Sequence, residues 1–165
     1  MGFELDGKRG VLNYYGVRTV DSKFGGAIDD DVIHTVQWTF KYNDLPTGAT
    51  NNLGYSIPAN STILSAKLQI IDAFTSTSTT TDLNCGLEQA DGTDISVSGF
   101  ITAAQATQTA IAVVNSVIDG ASGTPAALIG TTIGTVAGEL IVQSSAADLL
   151  TGKARLIVQY IQRGL

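Results

Sequence analysis

The chain has 165 residues, 15 acids, 9 bases and a formal net charge of −6, a length that suits one domain burying roughly 70% of its unfolded surface. Only 15% of residues are charged, while 18 Gly, 18 Ala, 20 Thr and 12 Ser dominate; this disfavours a helix bundle and favours strands and turns. So acidic a chain is a poor candidate for nucleic-acid binding by charge, because phosphate contacts need clustered Lys and Arg.

Residues 1–30 lack a clean period and are punctuated by Gly2, Gly7, Gly10, Gly16, Gly25 and Gly26, with Asp29-Asp30-Asp31 at their end. The first 42 residues nevertheless hold five of the nine bases and seven of the eleven aromatics. Aromatics and Arg concentrate in interface cores. The stretch therefore reads as an extended arm that docks on a neighbouring protein through Phe3, Lys8, Arg9, Tyr14, Tyr15, Arg18 and Phe24. The alternative is an ordinary first strand and loop of the domain itself. The division is a 1–30 arm and a 31–165 β-sandwich domain.

The body reads as strands. Val32, His34, Val36, Trp38 and Phe40 alternate with Ile33, Thr35, Gln37, Thr39 and Lys41, the period of a half-buried strand. Asn43-Asp44-Leu45-Pro46-Thr47-Gly48 is turn chemistry. Leu64, Ala66, Leu68 and Ile70 predict the apolar face of a second strand. Ser76 to Thr81 predicts a polar, mobile loop. Leu83, Cys85 and Leu87 form the apolar face of a third strand, followed by a tight turn at Asp91-Gly92-Thr93-Asp94.

From Leu68 to Gly152 the chain runs 85 residues with eight acids and no base. Ile95 to Ile118 has 24 uncharged residues, nine of them Ser, Thr, Gln or Asn, which is too polar for a membrane span. Thr102 with Gln105 fits a capping box, but Thr107, Thr109, Val113 and Val114 weaken a helix. A short helix or irregular segment is expected around 102–109. Gly130, Gly134 and Gly138 imitate the spacing of membrane helix dimers; without an apolar helix around them they read as turn and strand glycines. Val136, Leu140 and Val142 predict a fourth strand.

Gly152 marks the turn into a last strand, whose apolar face is Leu156, Val158 and Tyr160. On its other face Ile157 and Ile161 suggest cover by another subunit. Seven to nine strands with irregular connections imply an all-β fold, a jelly-roll-like β-sandwich with at most one short helix.

Chemistry is sparse. His34 is the sole histidine and lies on an apolar strand face, where a packed imidazole with a hydrogen-bond partner is the plain reading. Cys85 is the sole cysteine, without a disulfide partner and placed as a small hydrophobe. Asp29-Asp30-Asp31 and the Asp91/Asp94 turn lack the alternating ligands of a calcium loop. Asn60-Ser61-Thr62 is formally a glycosylation sequon but reads as a turn before a strand. The opening Met-Gly-Phe-Glu-Leu-Asp lacks the apolar run of a secretory signal. No phosphate loop or nucleophile elbow occurs. The expectation is no catalytic residue, no metal site, no cofactor and no enzyme.

Tyr55-Ser56-Ile57-Pro58-Ala59-Asn60-Ser61-Thr62-Ile63-Leu64-Ser65-Ala66-Lys67-Leu68 resembles a recurring pattern of tailed-bacteriophage head proteins, an Ile-Pro-Ala-Asn turn leading into an alternating strand. A Ser/Thr loop follows in the same order, then Gly86, Leu87, Asp91 and Gly92, then Ala127 to Gly130, and finally Leu150 to Ile161 as a closing strand. The resemblance spans residues 55–163 and is to capsid decoration, or cement, proteins. It implies a jelly roll that assembles as a homotrimer on the outer capsid surface of a virion. Its partners would be the major capsid protein and itself, with no nucleic acid and no membrane. The N-terminal region does not match the pattern, and its attachment role rests on composition. A phage head- or tail-fibre receptor-binding module suits the Thr/Ser/Gly composition equally well. A carbohydrate-active sandwich would need an aromatic platform, yet residues 75–165 contain only Phe100 and Tyr160.

Overall fold

The structure is a computed structural model. It describes residues 33–45, 50–78, 80–145 and 149–162, and the backbone of Asp6–Gly7 and Gly10–Val11. Those two short segments, β1 and β2, pair antiparallel. The side chains proposed for the arm, and Asp29 to Asp31, lie outside the described residues.

Among the described residues eight strands build the body: β3 (Ile33–Lys41), β4 (Thr50–Ile57), β5 (Ser61–Ser76), β6 (Leu83–Glu88), β7 (Asp94–Ile101), β8 (Val117–Asp119), β9 (Gly138–Ser144) and β10 (Leu149–Gln162). They form two four-stranded sheets, β3-β10-β5-β8 and β4-β9-β6-β7, called here the first and second sheet. Every pairing is antiparallel. The pairs β3–β10, β4–β9, β5–β8 and β6–β7 nest as one long hairpin rolled onto itself, which is the jelly-roll arrangement of two packed sheets. The expected all-β jelly-roll-like sandwich is the observed fold.

The core lies between the sheets. Phe40, Ile63, Ala66, Leu68, Ile70, Phe74, Leu156 and Val158 face it from the first sheet, and Leu83, Cys85, Leu87, Leu140 and Val142 from the second; all are essentially inaccessible. Burial of each large aliphatic side chain stabilises the fold by about 1.5–3 kcal/mol. The alternation in β3 is the one read from the sequence, and its aromatics extend the core. Trp38 stacks on Phe40 at 5.3 Å, and Phe40 meets Phe74 at 6.3 Å.

Four local expectations change. Leu64 is not on the core face: it is 37% exposed, while Ile63 is fully buried. Gln159 pairs with Ser65 but Tyr160 pairs with Ile63, so Leu64 is the extra residue of a β-bulge, which reverses the alternation. Val136 precedes β9 and is 48% exposed. Gly152 lies inside β10 rather than in a turn. Residues 102–107 form the irregular segment allowed by the sequence, and the short helix starts only at its end, as α1 (Gln108–Ile111), with Thr107 rather than Thr102 as its N-cap.

The Thr102–Gln105 pairing survives as a turn. Thr102 N–H donates to Gln105 Oε1 at 2.9 Å. Gln105 Nε2 then donates to the carbonyls of Gly120, Ser122 and Thr124 at 3.0, 3.0 and 3.2 Å, tying down the loop after β8. The Ser/Thr loop after β5 is laced by hydroxyls. Ser76 Oγ meets Thr81 Oγ1 at 2.5 Å, and Ser78 Oγ meets Thr80 Oγ1 at 2.9 Å. The turns at 58–60 and 91–94 form as read: Asn60 has φ 60 and Gly92 has φ 82. Asn60 N–H is held by the Gly134 carbonyl at 3.0 Å.

Candidate functional site

The residues singled out for chemistry are separated by the fold. Cys85 is fully buried, and burial pushes its thiol far above the usual range, so it stays protonated and inert. His34 stacks on Tyr160 at 5.2 Å and 20°. Its Nε2 is buried with no hydrogen-bond partner among the described residues; the strand directs the ring onto an aromatic face. Desolvation raises the Tyr160 phenol above its ordinary pKa. Asp91 Oδ1 accepts from Thr93 N–H at 2.9 Å, and that bond lowers its carboxyl below the usual range. Among the described residues no three His, Cys, Asp or Glu side chains converge into a metal-binding group. No described helix is long and apolar enough to cross a membrane.

What the fold does assemble is two outer faces. Strand register places the outward residues of the first sheet in rows. Lys41, Lys153 and Asp72 form one row, and Thr39, Arg155, Gln69 and Val117 the next. Gln37, Ile157, Lys67 and Asp119 follow, then Thr35, Gln159 and Ser65, and finally Ile33, Ile161 and Thr62. Facing residues on paired strands sit about 4.5–5.5 Å apart at Cα. The face is therefore graded, basic at one end and apolar at the other. Ile157 and Ile161, singled out from the sequence, both project from it and are half-buried; Ile33 beside Ile161 is 55% exposed.

All four bases among the described residues, Lys41, Lys67, Lys153 and Arg155, stand on this face. Lys67 Nζ lies 4.0 Å from Asp119 Oδ2, the one ion pair among the described residues. Lys41 and Lys153 oppose each other directly. The alternation of Lys153 and Arg155 was visible in the sequence; their meeting with Lys41 and Lys67 was not.

The second sheet carries the opposite sign. Glu139, Glu88 and Asp94 are consecutive cross-strand partners on β9, β6 and β7. Asn52 of β4 lies on the same face, and its Nδ2 donates to Glu88 Oε1 at 3.1 Å and to Glu139 Oε2. Glu88 is only 8% exposed, while Asp94 is exposed. Sequence analysis missed this row because Glu88 and Glu139 are 51 positions apart and only the pairing of β6 with β9 joins them.

No protein-family model matches the chain, and no curated protein does. Its fold is similar to that of a chain in the capsid asymmetric unit of cyanophage Pam1, with a TM-score of 0.56 and 16% identity, over 96% of this chain and 97% of that one. It is also similar to a chain in the capsid of Ralstonia phage GP4, with a TM-score of 0.55 and 15% identity, over 81% of this chain and 86% of that one. At such identities the likeness establishes the shared fold.

Proposed function

We propose that this chain is a structural, non-enzymatic component of a phage virion: a decoration protein that sits on the outer capsid and bridges major capsid protein subunits. The observation that carries this reading is the end-to-end likeness to a chain of a phage capsid asymmetric unit, over 96% of one chain and 97% of the other. A jelly roll closed around an apolar core is a rigid spacer, and its buried cysteine offers no reactive group. The 1–30 segment, with Phe3, Lys8, Arg9, Tyr14, Tyr15, Arg18 and Phe24, is the part that grips the capsid protein. Ile157 and Ile161 lie in a contact between copies within a homotrimer. Linking three weak grips in one assembly multiplies their combined strength by effective concentration.

The test adds the purified chain to phage heads stripped of accessory proteins. Co-sedimentation with saturable stoichiometry, and heads that resist heat better, are the expected results. No binding to heads, combined with binding to host cells, would overturn the reading in favour of a receptor-binding module.

A further inference from the structure

The charge on the two outer faces raises a physical problem. Like charges set directly opposite on neighbouring strands destabilise a sheet. The first sheet nonetheless opposes Lys41 to Lys153, whose other cross-strand partner is Asp72. Arg155 stands on the next row between Thr39 and Gln69, and Lys67 on the row after it is paired with Asp119, so four bases share this face with two acids. The second sheet opposes Glu139 to Glu88 and Glu88 to Asp94. A chain with 9 bases places all four of those in its described residues on one face. Each stripe is a cost to the isolated chain that the other stripe could relieve. They cannot meet within one molecule, because they stand on outer faces of opposite sheets.

We propose that the basic outer face of the first sheet is the docking surface for a second copy of this chain, which presents the acidic outer face of its second sheet. Lys41, Lys153 and Arg155 then approach the neighbouring copy's Glu139 and Asp94. Ile157, on the row beyond Arg155, is covered by the same contact. The two surfaces differ, so the contact is heterologous: each copy uses one face toward each neighbour, and the chain of contacts closes into a ring when the rotation permits. Three copies satisfy the self-association in the function proposed above, on which this contact rests. Charge complementarity of this kind fixes partner orientation and excludes the face-to-face pairing of identical sheets.

The test measures self-association of the full chain by sedimentation velocity over a range of concentrations. Lys153→Glu with Arg155→Glu is expected to weaken assembly by at least about tenfold. Glu139→Lys with Asp94→Lys should do the same. All four reversals in one chain should restore assembly, because both faces then change sign together. Raising salt should weaken the wild-type assembly.

A wild-type chain that stays monomeric overturns self-association and this contact together. A stable wild-type oligomer indifferent to both reversal pairs overturns this contact and leaves self-association standing. Should a reversal variant lose its β-sheet circular dichroism, Lys153→Gln with Arg155→Gln and the salt titration carry the test. Unchanged association in both would overturn the proposal.

Discussion

At the scale of single residues, backbone geometry and burial decide the sharpest outcomes. Gly152 has φ +130, and a Cβ there would lie 2.1 Å from the Phe74 ring. Gly152→Ala therefore meets both backbone strain and a collision with a fully buried aromatic. It should lower stability by about 2–4 kcal/mol in urea unfolding, summing strain and overpacking. Gly54, with φ +71 and open space around it, should lose only about 1–2 kcal/mol on the same change, the backbone share alone.

Tyr160 gives a pH dependence whose sign follows from desolvation. Its folded-state pKa is raised, so the folded chain holds the phenolic proton more tightly than the unfolded chain does. The contribution is complete below the unfolded value of about 10 and is lost as pH rises toward the folded one. Absorbance at 295 nm should show one tyrosine titrating late. Tyr160→Phe should flatten the decline of stability above about pH 10.

At the scale of elements, strand register carries the information. The row Glu139–Glu88–Asp94 sets like charges side by side, with one Asn52 amide shared between the two glutamates. Glu139→Gln removes one charge from that row. It should raise thermal stability of the monomer by about 0.2–1 kcal/mol, read at neutral pH by calorimetry. The alternation of β3, of residues 66–70 within β5, of β6 and of the closing part of β10 was legible in the sequence, because a half-buried strand must place apolar side chains every second residue. Gly152 was misplaced because a lone glycine reads as a turn residue, whereas it is a positive-φ position inside β10, and Leu64 because the alternation is interrupted there. A bulge inserts one residue into that count, and nothing local in Ile63-Leu64-Ser65 announces it. The Thr102–Gln105 bond closes a single turn, and the helix starts beyond it, where Thr107 Oγ1 accepts from Ala110 N–H.

At the scale of the whole molecule, the packed interior runs from Phe40 to Tyr160 among the described residues. Removing residues 1–30 should therefore leave a cooperatively folding sandwich, with a midpoint in urea close to that of the full chain. In the proposed function the truncated chain should bind stripped heads at least about tenfold more weakly, since a linked contact is lost. Loss of cooperative unfolding would instead make the segment part of the sandwich.

Composition and period determined the class of fold, the main strands and the chemical quiet of the interior, because these depend on local side-chain type and spacing. The placement of Ile157 and Ile161 on an outward face also followed, since parity along one strand is a local property. The charge polarity did not. Lys41, Lys67, Lys153 and Arg155 come from three strands, and Glu88, Glu139 and Asp94 from three others. Only the nesting of first strand with last, and of each inner pair within it, brings those residues to one face or the other, because cross-strand neighbours are set by pairing over long sequence distances.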